Sequence, residues 1–130
     1  MHPFRKAVES GDMDAVAALL ADDVVFTSPI AFKPYPGKAI TAAFLRGVLR
    51  VFEDFTYIRE IAGPDGRDHV FVFTATIAGK KLQDCDLLHF DANGKLDDFT
   101  VMVRPLSAAQ ALAKAMSAQF QQIVREATEQ

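Results

Sequence analysis

Hydrophobic positions recur at helical spacing early in the chain and alternate strictly later on. Phe4, Val8, Met13, Val16, Leu19 and Leu20 are mostly three to five residues apart, which predicts helix. Gly11-Asp12 interrupts that run, and Asp12 suits the N-cap of a second short helix. Asp22-Asp23 closes the helical pattern, and Val24 to Thr27 predicts a strand. Pro29, Pro34, Pro36 and Gly37 mark a loop. Ile40, Phe44, Leu45, Val48, Leu49 and Phe52 then predict an amphipathic helix over 38–52.

Beyond Phe52 the period becomes two. Strands are expected over 55–61, 70–77, 82–90 and 96–103. Gly63-Pro64-Asp65-Gly66, Gly79-Lys80 and Asp91-Ala92-Asn93-Gly94 supply the turns between them. Pro105 stops the sheet, and a helix from Ser107 to about Glu126 carries Leu112, Met116, Phe120 and Ile123 on one stripe. Helices gathered before an antiparallel meander indicate an α+β fold, one domain over 1–130, with helices packed on the concave face of a curved antiparallel sheet. The space between helices and sheet is the natural place for a small-molecule cavity.

Composition narrows the function classes. Fourteen basic against 17 acidic residues give a net charge of −3, a poor match to nucleic acid or an anionic membrane. The longest apolar run, Ala15 to Ala21, is far short of the ~20 residues of a membrane span. The N-terminus leads into a polar amphipathic stretch rather than a signal peptide. A lone cysteine, Cys85, excludes an internal disulfide, and a cytoplasmic protein is expected. Eleven aromatics are Phe, beside Tyr35 and Tyr57, so the chain carries bulk with few polar handles. His2, His69 and His89 show no ligand spacing, and no metal site is expected.

Two stretches carry a family resemblance. Ala7 to Pro29 reads AVESGDMDAVAALLADDVVFTSP, with Gly37 eight residues on, and Asp86 to Leu96 reads DLLHFDANGKL. In order and spacing these resemble the nuclear transport factor 2-like superfamily, in its SnoaL-like and ketosteroid isomerase-like branches. The resemblance covers about Phe4 to Pro105. It implies a cone-shaped α+β (cystatin-like) fold with a deep pocket, usually in a homodimer. The scaffold hosts isomerases, cyclases, hydrolases, dehydratases and binding proteins, so function rests on individual residues.

Set against the isomerase pattern, the general base before the strand proline is Ser28, which cannot abstract a carbon-bound proton without a partner base. The tyrosine donor of the first helix is Phe4, and the supporting tyrosines fall on Leu20 and Leu45. Asp86 matches the aspartic acid that donates to the oxyanion. The E-H-W-D sequence of SnoaL-like cyclases is replaced by Asp98-Phe99-Thr100-Val101. The Arg that epoxide hydrolases of this type place two residues before the strand Asp is here Asp84.

The resemblance therefore implies Asp86 as the acid or hydrogen-bond donor and Ser28 as a second polar contact. Phe4, Leu20, Phe26, Leu45, Phe71, Leu88, Phe99, Val101 and Val103 are the expected ligand-binding wall. Alternation puts Leu82, Asp84, Asp86, Leu88 and Phe90 on one strand face, but Cys85 and Leu87 make the other face partly apolar too. The residues alone leave open which face is inward. Tyr57 is expected to pack or to meet a dimer partner, Phe32 and Tyr35 to form a lid or a plain loop, and Arg46 and Arg50 to lie on an exposed helix face.

The expected function is binding of a small hydrophobic or aromatic molecule, with isomerase, cyclase or dehydratase chemistry that needs no metal or organic cofactor. The rival is a protein-interaction module using the exposed sheet face. An open cavity of roughly several hundred Å³ favours the first and a filled cone the second.

Overall fold

The computed structural model describes residues 2–128. Helix α1 (Pro3–Ser10) starts where the His2 ring nitrogen Nδ1 accepts from the Phe4 amide at 3.0 Å, with Pro3 inside the first turn. It ends at Gly11, whose φ of 72° is a left-handed stop. Asp12 caps α2 (Met13–Ala18) as expected, accepting from the Ala15 amide at 3.1 Å.

Strand β1 runs over Leu20–Thr27, longer than the expected Val24–Thr27. Its register with β6 is irregular between Leu20 and Val25, which leaves Asp22 and Asp23 exposed while Leu20, Ala21 and Val24 are buried. A two-residue strand β2 (Tyr35–Pro36) pairs with β1 and leads into α3 (Lys38–Val51). The meander follows as β3 (Glu53–Ala62), β4 (Asp68–Ile77), β5 (Lys80–Phe90) and β6 (Leu96–Arg104).

The strands form one six-stranded sheet in the order β2-β1-β6-β5-β4-β3. The sheet is curved and unclosed, so the α+β expectation holds. One pairing differs from a purely antiparallel sheet. β1 lies parallel to β6, because the chain crosses over through α3 and the whole meander before β6 returns beside it.

The C-terminal segment is two helices rather than one. α4 (Leu106–Ala118) breaks at Gln119 and α5 (Phe120–Thr128) turns onto α3. Gln119 Nε2 donates to the Gly47 carbonyl at 3.2 Å, and Arg50 pairs with Gln119 and Glu126, both at 2.8 Å. Arg50 is thus a tie between helices and not simply a solvated side chain. Buried Ile123 sits over Gly47, where only a residue without a side chain admits it. No described helix is long and apolar enough to cross a membrane.

Candidate functional site

Alternation on β4 and β5 decides what faces inward. Phe71, Phe73, Ala75 and Ile77 of β4 are buried, as are Leu82, Asp84, Asp86, Leu88 and Phe90 of β5. Asp84 pairs across the ladder with Phe73 and Val103, and Asp86 with Phe71 and Val101. Two carboxyls two residues apart therefore point to the same interior, only 2% and 5% exposed.

They border a cavity of about 50 Å³ between the sheet, α1, α3 and α4. Its remaining walls are apolar except for Tyr57 of β3. Six phenylalanines line it, Phe4, Phe26 and Phe99 among them, together with Leu45, Val101 and Leu112. Among the described residues no Lys, Arg or His borders it. A second hollow of about 180 Å³ lies outside, bounded by Ser28, Tyr35, Phe44 and Phe120. Phe26, Pro29, Val48 and Leu112 belong to both walls, so they are the partition. The enclosed space is far below the roughly several hundred Å³ expected of an open pocket, and by that measure the volume weighs toward the filled cone of an interaction module; Leu112 of α4 forms part of its wall.

Of the expected residues, Asp86, Phe4, Phe26, Leu45, Phe99 and Val101 come together around the cavity. Leu20, Phe71 and Leu88 do not border it. Phe4 packs over Phe71 at 6.2 Å between ring centroids and seals that end, while Leu20 pairs with Leu96 and Leu88 with Phe99 in the ladders. Val103 is half-buried at the rim beside Asp84 and also stays outside. The Ser28 hydroxyl accepts from the amides of Ile30 and Ala31 at 3.2 and 3.0 Å, so it stabilises a turn and reaches only the outer hollow. Phe32 is fully exposed, whereas Tyr35 packs at a tilt against Phe44, 4.7 Å between ring centroids. Cys85 and His89 face away from the cavity, and His89 Nδ1 meets Asp97 at 2.6 Å. No group of side chains suited to a metal ion occurs among the described residues.

Asp84 and Tyr57 are the site residues that the sequence reading missed. The signal for Asp84 was its position two residues from Asp86 on the same strand face. Tyr57 is turned inward by the bulged register that aligns it with Phe73, which the pattern of the strand itself does not show.

The electrostatics follow from burial. Desolvation pushes the Asp84 carboxyl up to about 11, reinforced by the negative charge of Asp86 and by their hydrogen bond. Desolvation also raises Asp86, while the hydrogen bond from Asp84 partly lowers it. Both acids are raised by burial and titrate as one unit, so the pair keeps one proton through the neutral range. Burial, then the charge of Asp86, pushes the Tyr57 phenol up, so it stays a neutral donor. One oxygen of the pair, Asp84 Oδ1, is buried with no hydrogen-bond partner.

Residues 2–99 match the SnoaL-like domain family model. The chain belongs to the SnoaL-like family. The match makes it a member of the nuclear transport factor 2-like superfamily, and it ends before α4, which contributes Leu112 to the cavity wall, and before α5. Among solved structures, this SnoaL-like protein is similar to a steroid delta-isomerase from Pseudomonas aeruginosa. The two share 38% identity over 94% of this chain and 89% of that one, with a TM-score of 0.88. An uncharacterised protein with a cystatin-like fold from Silicibacter pomeroyi DSS-3 shares 32% identity over 95% and 86% of the chains, also at 0.88. The epoxide hydrolase/cyclase-like enzyme SalBIII shares the fold at 18% identity, covering 81% and 86% of the chains, with a TM-score of 0.64. No curated protein matches the sequence.

Proposed function

We propose that this SnoaL-like protein takes the apolar body of a small molecule into the cavity and presents its polar end to Asp84, Asp86 and Tyr57. The observation that carries this reading is a carboxyl pair buried in an otherwise apolar cavity. Burying two acids without a cation is costly, and a fold selected for stability alone would fill those positions with apolar side chains. A pair sharing one proton can accept a proton at one site and return it at another, which is the work of an isomerase or cyclase that needs no cofactor. The similarity to a steroid delta-isomerase and to an epoxide hydrolase/cyclase-like enzyme supports that class.

The 38% identity to the Pseudomonas aeruginosa protein favours a second reading, turnover of a ketosteroid. Three observations oppose it. Ser28 is spent on a turn, Phe4 has no hydroxyl, and about 50 Å³ is too small for a steroid nucleus. A β,γ-unsaturated ketosteroid should therefore show no isomerisation beyond trace levels in a conjugation-shift absorbance assay.

The exposed side chains of Ile58, Ile61, Leu87 and Met102 on the outer sheet face support self-association of this protein as a homodimer. The small-molecule reading is tested by methyl NMR with benzyl alcohol and toluene as probes of Leu112→Ala, which joins the inner cavity to the outer hollow, because about 50 Å³ alone is below the ~150 Å³ of a cavity that takes benzene. Both should shift the Leu45, Val48 and Val101 methyls. Shifts confined to the outer sheet face would sink the reading.

A further inference from the structure

We propose that the ligand of this cavity is a hydrophobic organic cation, an ammonium or iminium group on an apolar body, held against the Asp84–Asp86 pair. The inference rests on the small-molecule reading above and names the chemistry of the bound group.

Donor and acceptor counting carries it. The pair has four carboxyl oxygens and holds one proton, which lies between its two members. Every other lone pair on it accepts; Asp84 lines the cavity, and its Oδ1 is buried with nothing to accept from. What Asp84 Oδ1 lacks is a donor, since the one neutral donor on the wall, the Tyr57 hydroxyl, makes no hydrogen bond to it. A ketone or an ether would bring only another acceptor, whereas an N–H group fits.

Charge points the same way. With one proton the pair is a buried monoanion, and no basic residue among those described lines its cavity. Arg5 lies nearest in function, its guanidinium 5.1 Å over the Tyr57 ring, but its ion pairs are with Glu9 and Glu60 at 3.3 and 3.4 Å. The other titratable group on the wall is Tyr57, and Cys85 points to the opposite face. A monocationic ligand would neutralise the pair where the protein does not. The walls suit it, because six phenylalanines and Tyr57 offer ring faces to a cation and to its apolar body.

The test compares benzylamine with its neutral counterparts benzyl alcohol and toluene, titrated by NMR into the wild type and into Leu112→Ala, which opens the partition to the outer hollow. Benzylamine should bind at least about tenfold tighter than benzyl alcohol, the range of a charge-assisted hydrogen bond. Its affinity should rise with pH as the pair gains negative charge, up to the point where the amine itself deprotonates. Asp86→Asn should erase the preference for benzylamine over benzyl alcohol. Should that variant fail to fold, the pH dependence of the wild type carries the same information. Equal affinity for the amine and the alcohol, or affinity falling as pH rises, would overturn the cation proposal and leave the small-molecule reading standing. Failure of all three probes in both proteins would overturn both.

Discussion

Replacing Asp86 by Asn probes the carboxyl pair directly. The amide keeps the shape and can still accept from the Asp84 hydroxyl, but it cannot ionise. In the folded protein burial moves the Asp86 carboxyl from 3.8 to about 6. The folded state therefore keeps a proton that the unfolded chain releases at lower pH. For a raised acid the native protein loses stability as pH climbs past the unfolded value of 3.8, and the loss levels off above about 6. At ~1.4 kcal/mol per pH unit this amounts to about 3 kcal/mol at neutral pH. Desolvating the new amide offsets part of the gain, so Asp86→Asn should stabilise the fold by about 1–3 kcal/mol there. Urea unfolding of both proteins, followed by circular dichroism across the acid-to-neutral range, measures it. The two should be equally stable near the unfolded carboxyl value and diverge as pH rises. A remaining decline of the variant with pH belongs to Asp84, which is raised further. A variant less stable than the parent at neutral pH, or a difference that ignores pH, would place Asp86 beside a cation or in water and remove the basis of the site.

Other perturbations separate the elements around that pair. Leu112→Ala should cost about 2–5 kcal/mol in a thermal or urea melt and merge the inner cavity with the outer hollow, seen as uptake of xenon by NMR. Gly47→Val should destabilise by about 1–3 kcal/mol, because a Cβ there meets Ile123 Cδ1 at 3.0 Å and Cγ1 at 3.2 Å; an unchanged melting temperature would mean that α5 does not rest on α3. The hydrogen bond that the protonated His89 ring donates to Asp97 raises the pKa of His89, so the pairing stabilises below the ordinary value of 6.5 and is lost as pH rises through the raised one. In Asp97→Asn an imidazole NMR titration should show the His89 midpoint moving down. Met102→Lys should convert a dimer to a monomer by light scattering, and a wild-type protein that already runs as a monomer would dismiss the outer face as a self-association surface.

Local patterning alone determined much of this protein. The period of two over 55–103 set out the meander, and the turn residues between strands set its hairpins, because side-chain alternation is a property of the extended backbone itself. Asp12 was readable as a cap for the same reason: its partner, the Ala15 amide, lies three residues away. Phe4, Phe99 and Val101 were reachable through family resemblance, which carries positions but not the state of the space they enclose. Asp84 and Asp86 were visibly on one face of β5, yet with Cys85 and Leu87 on the other face the strand did not say which side was inward. That was decided by Phe73, Tyr57 and Phe99, brought in from three other strands. The parallel seat of β1 beside β6, the place of Leu112 in the cavity wall and the Arg50–Glu126 tie all join segments far apart in the chain. A carboxyl's ionisation depends on how much water distant segments exclude from it. Neither the raised acids nor the missing cation can be read from a strand's own residues, since both arise only when the helices close over the sheet.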